Sequence, residues 1–125
     1  MFQHADYVMV NVSDMDRSVA FYRDRLGLPL KFESPGWSEF ATGTTTIALH
    51  HTQRPASKEG AGSAGPQAGT CSIGFSVTDL DATHAELKGR GVAFVMPPVS
   101  QPAEGIRLAV CVDPDGLAIS FAQPI

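Results

Sequence analysis

The chain has 125 residues, a length typical of one domain that can bury a hydrophobic core without disulfide or metal crosslinks. Hydrophobic residues make up 43% and charged residues 18%, which is the balance of a folded protein. The net charge of −4 disfavours nucleic-acid binding, and we expect neither a membrane-spanning segment nor a signal peptide. Cys71 and Cys111 form no zinc or disulfide pattern, so we expect a cytoplasmic protein with reduced thiols.

The first half of the chain alternates between strand-like and helix-like patterns. Strands are predicted at 7–12, 28–33, 37–41 and 44–51. The first strand has valines on one face and Tyr7, Met9 and Asn11 on the other. A helix capped at 13 or 14 follows and runs to Leu26, because apolar residues recur there at helical spacing. We expect the valine face of the strand to pack against this helix.

Residues 52–69 separate the two halves of the chain. Twelve of these 18 residues are Gly, Ala, Pro or Ser, and no helical or strand periodicity is present. We interpret this segment as a linker or as a lid over a binding cleft.

The second half of the chain repeats the same kind of pattern. Strands are predicted at 71–77, 92–96, 106–112 and 117–122. A helix capped at 78 or 79 ends near Gly91, and Pro97-Pro98 is expected to open a loop. In the third of these strands we expect the aliphatic residues to face the helix, which would turn Arg107 and Cys111 the other way.

The two halves also match each other in sequence. Residues 12–16 (VSDMD) correspond to 77–81 (VTDLD) at an offset of 65 residues. The chain is therefore interpreted as one domain, 1–125, with repeat 1 at 4–51 and repeat 2 at 70–122. We predict an α+β fold in which these tandem βαβββ repeats form a curved, mixed sheet around a cleft.

Three segments together resemble a known family. The first strand, SDMDRSVAFYRDRLGL at 13–28 and DPDGLAISF at 113–121 are similar to the vicinal oxygen chelate superfamily. This superfamily includes glyoxalase I, extradiol dioxygenases, fosfomycin-modifying enzymes and bleomycin-resistance proteins. The resemblance covers nearly the whole chain and implies the fold predicted above. It does not imply one activity, because this fold hosts many chemistries.

The resemblance also raises the question of a metal. In metal-using members, four side chains, usually His, Glu or Gln, bind one divalent cation. The motifs place at those positions Tyr7, Ala48, Ser72 and Ser120. None of these is a usual metal ligand, so we predict no metal and no other cofactor. A displaced metal site at His50, Glu39 and His4 is the less favoured alternative.

We predict instead that the cleft binds a small organic molecule. Strand alternation predicts that the cleft is lined by Tyr7, Met9, Asn11, Trp37, Glu39, Ala48, His50, Ser72, Gly74, Arg107 and Ser120. His50 and Tyr7 are also candidates for acid–base catalysis, because histidine titrates near neutral pH.

These observations favour a metal-independent protein that binds an antibiotic or another small organic ligand, as bleomycin-resistance proteins do. One alternative is a glyoxalase-like lyase, isomerase or dioxygenase that uses the displaced metal or the His50 and Tyr7 pair. Another alternative is an interaction module whose cleft has no function. The resemblance further implies a homodimer, and we expect Trp37 and Phe40 at the dimer contact.

Overall fold

The computed structural model describes residues 1–53 and 68–125. The chain divides into two compact units, Met1–Ala56 and Ser57–Ile125. Each unit contains a four-stranded mixed sheet, in agreement with the predicted α+β class. The larger part of the predicted lid lies outside the described residues, and the interpretation as a single domain stays a prediction. Of the helices in the described residues, none has the length and apolar character needed to cross a bilayer.

The first unit has the βαβββ order that the sequence predicts. Its elements are β1 (Tyr7–Val12), α1 (Met15–Ala20) with a π-helical turn (Phe21–Arg25), β2 (Leu30–Phe32), β3 (Trp37–Thr42) and β4 (Thr45–His51). The strands lie in the order β1-β4-β3-β2, with β1 parallel to β4 and the other pairs antiparallel.

The predicted first helix is confirmed at its start and modified at its end. The Asp14 side chain caps α1 by accepting a hydrogen bond from the backbone N–H three residues later, at 3.1 Å. The last turn is π-helical, because the N–H of Leu26 donates to the carbonyl of Phe21 at 3.0 Å. The rings of Phe21 and Tyr22, which are consecutive residues in this turn, are both buried.

The core of the first unit lies between its sheet and α1. Its buried apolar side chains are Val10, Val12, Met15, Val19, Phe21, Tyr22, Phe40, Ile47 and Leu49. The prediction that the valine face of β1 packs inward is confirmed. The prediction that Phe40 lies at a dimer contact is wrong, because its ring is fully buried, 5.8 Å from that of Tyr22.

The second unit repeats the topology of the first. Its elements are β5 (Ile73–Ser76), α2 (Leu80–Gly89), β6 (Phe94–Gln101), a 3₁₀ turn (Pro102–Glu104), β7 (Ile106–Val112) and β8 (Ala118–Pro124). The strand order is β5-β8-β7-β6, with β5 parallel to β8. Asp79 caps α2 as Asp14 caps α1, with its side chain 3.1 Å from the accepted N–H. The internal repeat is therefore a repeat of structure as well as of sequence.

The predicted loop at Pro97-Pro98 is wrong, because β6 continues through it to Gln101. Proline has no N–H to donate, so it is tolerated on a strand at the edge of a sheet. β6 is such an edge strand, and its pairing with β7 shifts register between Met96 and Val99, on either side of the prolines.

The predicted orientation of β7 is also wrong. Ala109 and Cys111 are fully buried, and Arg107 donates two hydrogen bonds to Asp81 on α2, at 2.9 and 3.1 Å. This face of β7 therefore lies toward the helix, whereas the aliphatic residues at 108, 110 and 112 are only half-buried. Small side chains leave room for a helix above a sheet, which explains why Ala109 and Cys111 occupy the helix side.

Candidate ligand-binding site

The face of the first sheet that is turned away from α1 carries seven of the predicted binding residues. The backbone register places Asn11 and Trp37 on either side of His50, and Met9 and Glu39 on either side of Ala48. We call this surface the aromatic–polar face, and it consists of Tyr7, Met9, Asn11, Trp37, Glu39, Ala48 and His50. The sequence prediction that these residues share one face of the sheet is confirmed.

Three rings meet on the aromatic–polar face. The ring of Trp37 lies 5.8 Å from that of Tyr7 and 6.2 Å from that of His50, in edge-to-face geometry. Tyr7 is 53% exposed and the neighbouring Met9 is 44% exposed. The cluster therefore presents accessible apolar surface beside polar groups.

A hydrogen bond fixes the orientation of the indole. Trp37 Nε1 donates to Glu39 Oε2 at 2.8 Å. Lys31 Nζ lies 3.7 Å from Glu39 Oε1 and donates to Thr46 Oγ1 at 2.9 Å. The carboxylate is thus balanced by an ammonium group, and the Trp37 ring is held before any ligand arrives.

Sequence reasoning missed Lys31. The strand β2 has only three residues, and its pairing with β3 shifts register between Leu30 and Phe32. Alternation along so short and irregular a strand does not define which face a side chain occupies. The only available signal was the presence of a lysine within the predicted strand 28–33.

His50 is held by a residue from a different strand. Its Nδ1 lies 3.0 Å from Asn11 Oδ1, and both side chains are exposed. An amide oxygen only accepts hydrogen bonds, so this contact is a hydrogen bond in the tautomer that carries its proton on Nδ1. The imidazole therefore has a defined orientation on the aromatic–polar face.

Ala48 occupies its predicted face but not a ligand-accessible position. It is fully buried, and its register partners Met9 and Glu39 carry longer side chains on either side of its methyl group. The prediction that Ala48 contacts a ligand is therefore corrected.

The second sheet carries a smaller predicted group. Gly74 and Ser120 are register partners, and a Cβ on Gly74 would lie 3.2 Å from Ser120 Oγ. Ser72 is exposed immediately before β5. Arg107 does not belong to this group, because it lies on the α2 side and is paired with Asp81.

The residues at the metal-ligand positions of the family do not fit a metal ion. Those in the first unit supply a phenol, from Tyr7, and no donor at all from Ala48. Those in the second unit, Ser72 and Ser120, supply only hydroxyl groups. Divalent cations in such sites are usually held by imidazole, carboxylate or amide oxygen ligands. Across 1–53 and 68–125, no group of three or more His, Cys, Asp or Glu side chains is arranged to hold a metal.

The side chains of the alternative displaced metal site are engaged separately. His50 bonds to Asn11, and Glu39 accepts from the indole beside Lys31, as described above. His4 Nε2 lies 3.9 Å from the exposed carboxylate of Asp6. The displaced site is therefore not formed by the described residues.

The buried thiol of Cys111 has a structural role. Burial raises the pKa of the Cys111 thiol to about 11, so at neutral pH it is protonated and unsuited to act as a nucleophile.

An open depression of about 630 Å³ in the first unit is lined by 13–16, 33–35 and His51. None of the predicted binding residues lines this depression, so the concave surface and the aromatic–polar face are separate features.

Comparison with known proteins establishes the family. The chain belongs to the Glyoxalase/Bleomycin resistance protein/Dioxygenase superfamily, whose family model matches residues 4–121. It is 30% identical over 109 residues to the uncharacterized protein YraH of Bacillus subtilis (strain 168), and the aligned region covers 83% of this chain and 85% of YraH. The resemblance seen in the sequence is therefore confirmed.

Solved structures extend the comparison. The chain is similar to TnmS3, an antibiotic binding protein from Streptomyces sp. CB03234, with 28% identity and a TM-score of 0.77 over 99% of this chain and 98% of TnmS3. It is similar in fold to SMU.1112c, with 20% identity and a TM-score of 0.84 over 98% of this chain and 99% of that one. These similarities confirm the predicted fold.

Proposed function

We propose that this protein binds a small organic molecule, such as an antibiotic, on the aromatic–polar face. The observation that carries the proposal is the cluster of Trp37, Tyr7 and His50 on an exposed sheet face. The similarity to TnmS3, an antibiotic binding protein, supports the same class of ligand.

The cluster has the chemical character of a binding surface. Ligand sites combine aromatic walls with a few polar groups that fix orientation. Here the apolar surface of Tyr7 and Met9 lies beside the polar groups of His50 and Glu39. Because the Glu39 hydrogen bond already orders the Trp37 side chain, less conformational entropy is lost on binding.

We propose that binding requires no metal. The donor set at the family's metal positions supports this, since the phenol and hydroxyl groups there are poor ligands for divalent cations. Protein treated with EDTA and then dialysed should therefore bind its ligand with unchanged affinity.

The test uses Trp37, the single tryptophan of the chain, as an intrinsic probe. The protein is titrated with bleomycin, doxorubicin and tetracycline while tryptophan emission and thermal unfolding are recorded. We expect at least one compound to change the emission saturably and, at 100 times its Kd, to stabilise the protein by about 2.7 kcal/mol. No change in either signal with all three compounds would contradict the proposal.

We also propose that the protein is a cytoplasmic homodimer. Apolar side chains are exposed on an edge strand of the second sheet, at Val95 and Val99 on β6. A second copy would remove such surface from water. Both cysteines are free, which suits a reducing compartment. Light scattering should give twice the chain mass of 13.2 kDa, and the mass of one chain would refute the dimer.

A further inference from the structure

The contact between His50 and Asn11 determines which hydrogen-bonding atom the imidazole offers to a ligand. Asn11 Oδ1 lies 3.0 Å from His50 Nδ1 and can only accept a hydrogen bond, so the contact favours the neutral tautomer that has its proton on Nδ1 and its lone pair on Nε2. Within 1–53 and 68–125, no hydrogen bond joins Nε2 to another group, and the side chain is exposed. Nε2 is therefore an oriented acceptor beside the Trp37 ring.

We propose that His50 makes the aromatic–polar face selective for an uncharged aromatic ring that donates a hydrogen bond, such as a phenol or an aryl N–H. This inference rests on the proposed function and specifies its ligand class. The ring of the ligand packs against Trp37 and Tyr7, and its donor reaches Nε2. A ligand of the same shape without the donor leaves Nε2 without a partner.

The neighbouring charges favour a neutral donor over a cation. Glu39 is the carboxylate of this face, and its two oxygens are occupied by the indole N–H of Trp37 and by Lys31, 3.7 Å away. The ammonium group of Lys31 cancels the charge that would otherwise attract an organic cation. The Tyr7 hydroxyl both donates and accepts, so it does not discriminate between the two kinds of ligand.

The test compares two ligands that differ in one proton donor. 2-Naphthol and 2-methoxynaphthalene share the same ring system, but only the naphthol donates a hydrogen bond. Equilibrium dialysis near neutral pH gives both dissociation constants. We expect 2-naphthol to bind about five- to tenfold more tightly, which corresponds to one hydrogen bond.

Matched variants assign the preference to His50. His50→Phe keeps a ring and removes the acceptor, so the two ligands should bind it equally. His51→Phe is the control, because the adjacent residue of β4 points to the other side of the sheet. This control should keep the wild-type ratio, and loss of the ratio in His51→Phe alone would overturn the assignment.

Nitrogen-15 NMR of the histidine side chains tests the tautomer without any ligand. We expect the His50 signals, identified by their loss in His50→Phe, to show a protonated Nδ1, and Asn11→Ala to abolish this bias. A neutral His50 with its proton on Nε2 in the wild-type protein would overturn the inference, regardless of which naphthalene binds. Equal binding of both naphthalenes would overturn the inference and leave the proposed function standing. Binding of neither naphthalene would also overturn the inference, and the antibiotic titration decides the proposed function separately.

Discussion

Phe40→Ala is expected to lower the free energy of unfolding by about 3–5 kcal/mol. The Phe40 ring is 0% exposed and packs beside the fully buried ring of Tyr22. Alanine would leave a cavity beside Tyr22, under the π-helical turn, that the surrounding residues fill only in part. Since small domains are stable by about 5–15 kcal/mol, this single change removes a large fraction of the total. Urea denaturation followed by circular dichroism measures the loss.

Phe32→Ala is the matched control for that experiment. Phe32 lies on the neighbouring strand β2, and its ring is 53% exposed. We expect its removal to cost less than about 1 kcal/mol, because less apolar surface returns to water. Equal losses for the two variants would show that Phe40 does not belong to the core. Phe40→Leu, which keeps most of the volume, should lie between the two.

The repeated architecture could be predicted because its signals are local. The aspartates at 14 and 79 each precede a helix and cap it, and they occupy corresponding positions in the two halves of the chain. In β1 the two faces differ in chemistry, with valines on one side and Tyr7, Met9 and Asn11 on the other. A difference of this kind indicates which side packs against a helix.

The same reasoning failed where both faces of a strand are apolar. β7 has larger aliphatic residues on one face and Ala109 and Cys111 on the other, so hydrophobicity alone favoured the wrong side. What decides the orientation is pairing with β8, where Ala109 lies beside Phe121 and Cys111 beside Ile119. That register is a long-range property, which one strand considered alone does not contain.

The candidate site was predictable as a set of residues but not as a network. Strand alternation correctly predicted that Trp37, Glu39 and His50 share one face of the sheet. The bond between Asn11 and His50 joins residues 39 positions apart, and its geometry depends on the parallel pairing of β1 with β4. The tautomer proposed for His50 is inferred from that contact, so the sequence alone could not indicate it.

Trp37→Ala is expected to weaken binding of the ligand found by titration about 100-fold or more, which corresponds to about 2.7 kcal/mol. Trp37 is the ring that lies against both Tyr7 and His50, so its removal abolishes both ring contacts of the cluster. Tryptophan residues at the centre of an interface carry effects of this size. The variant has no tryptophan emission, so equilibrium dialysis measures its Kd.

Two further variants separate the contribution of the ring from that of its orientation. Trp37→Phe keeps an aromatic face but lacks the N–H that bonds to Glu39, so it should recover part of the lost affinity. Glu39→Ala keeps the indole but removes the bond that orients it, so its loss of affinity should be smaller than that of Trp37→Ala and similar to that of Trp37→Phe.

If Trp37→Ala bound the ligand as tightly as the wild-type protein while remaining folded, the ligand would lie elsewhere. The depression beside His51 would then be the next surface to examine, because it is a concave feature of the first unit.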